Sequence, residues 1–341
     1  MNHSIRNITN NTSFIAEKDE TILQAALRNG HLYPYGCQSG ACGACKARLV
    51  GGDVEYLTRD PGVLSDDELE QGVCLPCQAV PLSDIEIEVK EIARAVEIEI
   101  KTLPTRVREK NLLCDDVVQL YLSLPSTQKF EFLPGQYINI LLKNGKERSF
   151  SIANTPAQAK IHGLELHIRI VPDGYYSPRV KESIQVKDIL RIQGPFGTYF
   201  LRKEEEQPII MVAGGTGYAP IKGLIEDALE SGSDLPITLY WGARTKADLY
   251  LNEQAEHWAD SIKGFKYIPV LSEATETDNW TGRTGFVHDA IAQDFPDASG
   301  HSVYASGPPI MIDALKEMFD NNGLDADFFY SDAFDYAAEN E

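Results

Sequence analysis

Three cysteines stand at C-x4-C-x2-C spacing in the glycine-rich run Cys37-Gln-Ser-Gly-Ala-Cys42-Gly-Ala-Cys45, and Cys77 follows after a gap long enough for a few strands and a short helix. A tight turn of this kind points three thiolates at one small volume, and a fourth must come from elsewhere in the fold. The spacing is that of a [2Fe–2S] cluster. Backbone amides of Ser39, Gly40, Ala41 and Gly43 are placed to donate to its sulfides. The rest of the chain then reads as machinery that feeds electrons to this loop.

Other uses of the cysteines fit less of the pattern. A disulfide framework is disfavoured, because only 6 of 341 residues are cysteine and most crowd into one segment. Structural zinc remains a competitor, since Cys42/Cys45 and Cys74/Cys77 form two C-x2-C pairs. Zinc leaves Cys37 and the surrounding small residues without a role. The run Cys77-Gln-Ala-Val-Pro81-Leu-Ser83-Asp84-Ile-Glu-Ile resembles the end of a plant-type ferredoxin domain. That resemblance puts the fourth ligand at Cys77 and makes Cys74 a buried neighbour. Cys114, alone elsewhere, reads as core.

The length allows two or three domains. A net charge of −20 argues against nucleic acid as a partner. Asp66, Asp67, Glu68 and Glu70, with Glu86, Glu88 and Glu91, concentrate acidity near the cysteine segment. Two readings stay open there: a solvated surface, or steering of a basic electron-transfer partner. No apolar run is long enough for a membrane helix, and Met1-Asn-His-Ser-Ile-Arg is not an apolar signal segment. The expectation is a cytoplasmic protein, with no membrane partner and monomeric.

Along residues 1–92, Ser4–Ile8 and Ser13–Ile15 read as a hairpin, and Thr21 opens a helix that Gly30 stops. Lys46–Leu49 and Asp53–Tyr56 are strand candidates, Ser65 caps a short helix, and Ile85–Val89 alternates as a half-buried strand. This stretch resembles a β-grasp ferredoxin throughout. Residues 93–104 read as a linker. Residues 105–203 are rich in strands (Val117–Leu124, Tyr137–Leu142, Leu164–Val171, Ile189–Ile192), with glycine and proline between them at intervals suggesting an antiparallel barrel. Residues 204–341 change character. Pro208–Ala213 is a buried strand entering Gly214-Gly215-Thr216-Gly217-Tyr-Ala-Pro220 and a helix, as in a nucleotide-binding turn. Further strands at Ile237–Trp241, Phe265–Val270 and Ser302–Ser306 alternate with helices around Asn252–Ser261, Gly285–Gln293 and Pro309–Asn321. That is a doubly wound α/β domain. The fold class is therefore α+β multidomain: β-grasp, antiparallel β-barrel, doubly wound α/β.

The second and third segments resemble the ferredoxin–NADP⁺ reductase superfamily. Arg148-Ser149-Phe150-Ser151, following a strand, matches its R-x-[YF]-S flavin motif. Arg148 offers a planar charged fork suited to pyrophosphate, and the resemblance places the Ser151 hydroxyl at flavin N5. Phe150 lacks the hydroxyl of the more usual tyrosine. Gly174 to Ser177 stands where the family has a flavin phosphate loop, and Gly194 to Gly197 matches its closing turn. Gly214, Gly215, Thr216, Gly217 and Pro220 match the NAD(P)H loop. Ser306-Gly307-Pro308-Pro309-Ile310-Met311 matches C-G-P-x-x-M with serine for cysteine; nucleotide binding should persist and hydride transfer slow. Phe334 matches the aromatic that covers the flavin ring, its alternative being a core aromatic.

The resemblance spans essentially the whole chain, in the order of the reductases of ring-hydroxylating dioxygenases and multicomponent monooxygenases. Details such as Tyr240-Trp-Gly-Ala-Arg244 and the Ser331-Asp-Ala-Phe334 ending look closest to the CDP-6-deoxy-Δ3,4-glucoseen reductase group. It implies a [2Fe–2S] cluster at Cys37, Cys42, Cys45 and Cys77, FAD, and NADH as hydride donor. The implied partner is a one-electron-accepting protein, a dehydratase or an oxygenase component. Ser151, Ser306 and Phe334 would act by positioning only. NADPH is tolerated on this reading, because Arg244 and Lys246 follow the second strand and no acidic residue nearby clearly claims the ribose. A stand-alone flavin reductase and a cluster-bearing redox sensor are the competing functions.

Overall fold

The computed structural model describes residues 1–57, 63–92, 98–172 and 174–334. The chain divides into two compact units, Met1–Glu97 and Ile98–Glu341.

In the first unit, strands β1 (His3–Asn7) and β2 (Thr12–Ala16) form the expected hairpin. Helix α1 (Ile22–Arg28) starts at Thr21, whose hydroxyl and the Gln24 side chain form a reciprocal capping box, and it buries Ile22, Leu23, Ala25 and Ala26. Then come β3 (Ala47–Gly51), β4 (Val54–Tyr56), α2 (Asp66–Glu70), β5 (Val73–Cys74), β6 (Ala79–Pro81) and β7 (Ile85–Glu88). The main sheet has order β2-β1-β7-β3-β5, with β1 and β7 parallel at its centre. Ile5, Ile85 and Ile87 point from that central pair into the core. The mixed sheet crossed by one helix is the β-grasp plan. Strands β4 and β6 form a separate small ribbon.

The second unit opens with β8 (Lys101–Cys114), so the last part of the segment expected as linker is already strand, while residues 93–97 lie outside the described residues. Its charged residues disguise it. Leu103, Thr105 and Val107 alternate inward against the core while Lys, Arg and Glu face out. The sheet continues with β9 (Val117–Ser123), β10 (Tyr137–Leu141), β11 (Glu147–Ser151), helix α3 (Pro156–His162), β12 (Leu164–Arg169), helix α4 (Ser177–Glu182) and β13 (Ile189–Phe196). Strand order is β11-β10-β13-β8-β9-β12, antiparallel throughout, and an Ile152–Leu166 bridge brings its two ends together as a barrel. Leu103, Val107, Leu120, Leu122, Ile138, Ile140, Leu166 and Ile192 fill it.

The nucleotide-type sheet is built from β14 (Ile209–Gly214), α5 (Tyr218–Glu230), β15 (Ile237–Ala243), α6 (Asn252–Ser261), β16 (Phe265–Leu271), β17 (Arg283–Thr284), α7 (Val287–Asp294), β18 (Ser302–Gly307), α8 (Pro309–Asn321) and β19 (Phe329–Ala333). Its order is β17-β16-β15-β14-β18-β19, all parallel. The strand order reverses between β14 and β18, so the crevice at their C-terminal ends is where such sheets take ligands. Strand β19, on the edge beyond β18, ends at Ala333 opposite Gly307 and so brings Phe334 to that edge of the sheet.

A buried charged network ties barrel to nucleotide sheet. Lys222, on α5 and 5% exposed, meets Glu165 at 3.0 Å, Glu226 at 2.8 Å and the Ala153 carbonyl at 3.1 Å. Glu165 also pairs with His167 Nε2 at 2.9 Å and accepts from Gln119 Nε2 at 2.7 Å. Burial alone would raise Glu165, yet His167 and Lys222 hold it at about 2; burial pushes His167 down while Glu165 opposes it. His167 Nδ1 reaches the Tyr250 hydroxyl at 3.1 Å.

Candidate functional site

In the first unit the cysteine loop depends on backbone conformations that glycine supplies. Gly40 and Gly43 have φ of +86° and +68°, and Gln38 joins them at +60°. The turn is clamped by Gln78, which is buried and donates through Nε2 to the Gln38 carbonyl at 2.8 Å. Because Gln78 adjoins Cys77, the clamp fixes the loop against the fourth cysteine. Gln78 belongs to the ferredoxin-like run that starts at Cys77, but its role comes from a contact that sequence does not display.

The four thiols come together as two pairs. Cys37 Sγ accepts from the amides of Ser39 and Cys42 at 3.4 Å each, and Cys42 Sγ accepts from the Cys37 amide at 3.4 Å. A hydrogen bond from the Cys42 thiol, with the Ser39 and Cys42 amides, pulls Cys37 down to about 5 against burial; Cys42 is pushed up in turn. Cys45 is pushed up by its hydrogen bond with Cys77 and by burial. Among the described residues, no group of three or more His, Cys, Asp or Glu converges on a single ion. Two thiol pairs suit two irons bridged by sulfide, and do not suit one tetrahedral zinc joining Cys42, Cys45, Cys74 and Cys77. Cys74 is buried on β5, and burial raises its thiol to about 12.

In the second unit Arg148, Ser149, Phe150 and Ser151 follow β10, as expected, and themselves form β11, which pairs with it. Alternation along β11 places Arg148 and Phe150 on one face, Ser149 and Ser151 on the other. Arg148 Nη1 donates to the Glu147 carbonyl at 2.8 Å, and Ser149 Oγ donates to Asn139 at 2.7 Å. The Phe150 ring lies 6.0 Å from that of Tyr176. Ser177 begins α4, its Oγ accepting from the Val171 amide at 2.9 Å, with Gly174 packed beside it. Gly194 and Phe196 belong to β13, which runs further than expected; only Gly197 lies beyond it, against the Tyr137 ring.

The nucleotide turn sits at the crevice between β14 and β18. Gly214 closes β14, and Gly215, Thr216 and Gly217 make a single turn into α5, where Pro220 occupies the first helical turn and costs no hydrogen bond. A Cβ at Gly217 would run into the Ser306 carbonyl oxygen. The turn is anchored below by Trp241, whose Nε1 donates to the Gly215 carbonyl at 3.1 Å and whose ring stacks on Tyr218 at 3.8 Å.

Residues from three segments meet here. Ser151 Oγ donates to Asp332 Oδ2 at 3.3 Å, Ser306 Oγ donates to the Asp332 carbonyl at 3.2 Å, and the Phe334 amide donates to the Gly307 carbonyl at 2.9 Å. Pro308 N-caps α8 beside Gly214. The structure thus unites Ser151, Ser306 and Phe334, expected as positioning residues, around Asp332. Asp332 lies within the Ser331–Phe334 ending, where the sequence gives it no role of its own. Arg244 follows β15, exposed, and pairs with Asp248 at 3.2 Å and with Asp116 at 3.6 Å. Two carboxylates thus stand beside Arg244, one four residues on and one arriving from the barrel, and both are engaged by its guanidinium.

Comparison with known proteins matches each part of this architecture. Three family models fit in chain order: a 2Fe-2S iron-sulfur cluster binding domain over residues 7–82, an oxidoreductase FAD-binding domain over 104–200, and an oxidoreductase NAD-binding domain over 211–317. The chain is 38% identical to the CDP-6-deoxy-L-threo-D-glycero-4-hexulose-3-dehydrase reductase of Yersinia pestis, over 94% of this chain and 95% of that protein. It is also 38% identical to the phenol hydroxylase P5 protein of Acinetobacter pittii, over 89% and 86% respectively. Among solved structures, the Amycolatopsis cytochrome P450 reductase GcoB aligns with a TM-score of 0.79 at 30% identity, covering 97% of this chain and 98% of that one. The cofactors follow from these matches: a [2Fe–2S] cluster, FAD and a nicotinamide nucleotide. This chain belongs to the family of iron–sulfur flavoprotein reductases in which a [2Fe–2S] ferredoxin domain, an FAD-binding barrel and an NAD-binding domain share one polypeptide.

Proposed function

We propose that this protein takes hydride from NADH and passes single electrons to a dehydratase acting on a CDP-linked deoxysugar. The observation that carries the choice of acceptor is the 38% identity to a dehydrase reductase across 95% of that relative. A second reading has its own support: identity to a phenol hydroxylase component is equally 38%, though over 86% of that protein, so an oxygenase component is the alternative acceptor. The protein is taken to be cytoplasmic and monomeric, with no nucleic-acid or membrane partner. Its parts are a ferredoxin domain over 1–92, a flavin domain over 105–203 and a nucleotide domain over 204–341.

When bound, FAD converts a two-electron donor into single electrons and the [2Fe–2S] cluster relays them. The chain's own residues bind and orient. Cys37, Cys42, Cys45 and Cys77 would hold the cluster. Arg148, Ser149, Phe150, Gly174, Ser177, Gly194 and Gly197 would hold FAD, Arg148 supplying a guanidinium for its pyrophosphate. Gly214, Gly215, Thr216, Gly217 and Pro220, with Gly307, Pro308 and Arg244, would hold the nucleotide, the start of α5 favouring its phosphates. The Ser151 hydroxyl, which donates to Asp332 Oδ2, would turn from that carboxylate to the flavin. Ser306 is fixed by Asp332 beneath the turn. Phe334, held through its amide to Gly307, would cover the ring plane. Hydride transfer requires no acid or base from these groups.

Anaerobic mixing of the NADH-reduced protein with each acceptor class tests the proposal. Rapid turnover with the dehydratase and its CDP-sugar, and not with a phenol-hydroxylase-type oxygenase, is expected. Exclusive coupling to the oxygenase would replace the acceptor, and failure to oxidise NADH with any acceptor would sink the reading.

A further inference from the structure

In a parallel sheet of this kind the turn after the first strand takes the pyrophosphate, and the position just past the second strand meets the adenosine ribose. The first is Gly214–Gly217 and the second is Arg244. The turn joining β8 to β9 brings Asp116 between them. Asp116 Oδ2 lies 3.4 Å from Arg169 Nη1 and 3.6 Å from Arg244 Nη2, and its Oδ1 accepts from Cys114 Sγ at 3.4 Å. Arg169, at the end of β12, lies against the glycine turn, its Nη2 3.2 Å from where a Cβ on Gly215 would stand. Its Nε is buried with no hydrogen-bond partner among the described residues. Arg244 is further neutralised by Asp248, which also accepts from the Thr245 amide at 3.0 Å and hydroxyl at 3.2 Å.

We propose that Asp116 is a specificity-determining residue: it holds Arg169 over the glycine turn and occupies Arg244, so that the nucleotide site rejects the 2′-phosphate of NADPH. Two guanidiniums and two carboxylates balance at this place. A ribose 2′-hydroxyl can donate to a carboxylate, whereas a 2′-phosphate meets Asp116 and Asp248 and finds Arg244 already paired. The selection is tertiary, since Asp116 comes from the barrel and Arg244 from the nucleotide sheet. The inference rests on the reading that this chain oxidises a nicotinamide nucleotide.

The test uses the full FAD- and cluster-loaded chain carrying Asp116→Asn, which keeps shape and removes charge. The NADPH-to-NADH ratio of kcat/KM should rise about tenfold, and calorimetric affinity for 2′,5′-ADP should rise by about the same factor, the effect of removing roughly one nearby like charge. Affinity for 5′-AMP should change by no more than about twofold, and high salt should shrink the 2′,5′-ADP gain. Adding Arg244→Gln to Asp116→Asn should abolish it. Should Asp116→Asn fail to retain FAD, Asp116→Ser carries the same expectations. An unchanged ratio with unchanged 2′,5′-ADP binding overturns the proposal, as does an equal loss of both coenzymes, which would mark a merely structural role. Wild-type protein that neither binds 5′-AMP nor oxidises either coenzyme would instead defeat the functional reading on which the inference rests.

Discussion

Replacing Lys222 by methionine leaves Glu165 and Glu226 buried without the cation between them and deprives the Ala153 carbonyl of a donor. Methionine fills the aliphatic space, so the cost is electrostatic and not a cavity. Removing one partner of a buried pair typically costs about 3–5 kcal/mol. For a unit of this size each kcal/mol moves the midpoint by roughly 2–4 °C, so Tm should fall by about 10 °C. The loss should also be pH-dependent. Burial already holds Glu226 above the usual carboxylate range, with Lys222 opposing, and one of its oxygens has no hydrogen-bond partner among the described residues. Without Lys222 it rises further. A carboxyl whose folded pKa is raised binds its proton first in the native state, so the variant regains stability as pH falls, by up to about 1.4 kcal/mol per pH unit. Wild-type Glu165 behaves oppositely. Its contribution is complete above the ordinary carboxylate value of 4.5 and is lost only as pH falls toward about 2. Thermal unfolding followed by flavin fluorescence at about pH 7.5 and about pH 5.5 therefore should show the larger penalty at the higher pH. Adding Glu226→Gln should recover part of it at about pH 7.5 only. A shift under about 2 °C, or one independent of pH, refutes the argument.

Cys77→Ser should lose or weaken the cluster absorbance while FAD binding and NADH–ferricyanide activity are largely retained and reduction of a one-electron protein acceptor collapses. Cys74→Ser should do neither, and the reverse outcome would exchange their roles. Phe334→Ala should alter the flavin spectrum and NADH KM and leave the cluster spectrum intact; no change in either returns Phe334 to packing. Gly217→Ala forces a methyl against the Ser306 carbonyl, so destabilisation of about 1–3 kcal/mol with weakened nucleotide binding is expected from chemical denaturation and NADH titration.

Elements whose information is local are legible in the amino-acid order alone. Thr21 and Ser65 cap the helices they announce, alternating Ile85 and Ile87 mark a half-buried strand, and the α8 limits follow from Pro309 and the apolar face behind it. Strand β8 is not legible in this way, because the face it turns to solvent is charged and its pattern shifts register twice against β9. Strand β19 reads as a tail from sequence because an edge strand is defined by its neighbour, here β18.

The sequence by itself determined the chemistry: cysteine spacing, the β11 motif and the glycine turn each specify ligand-binding groups within a few residues of one another, where bonded geometry limits what the backbone can present. Tertiary structure alone decided how those groups are completed. It sorted Cys37 with Cys42 and Cys45 with Cys77, clamped the loop with Gln78, joined Ser151 to Ser306 through Asp332, and brought Asp116 of the barrel to Arg244 of the nucleotide sheet. Such contacts link residues far apart in the chain. They exist only once strand order and sheet closure have brought the segments together, and no local spacing records them.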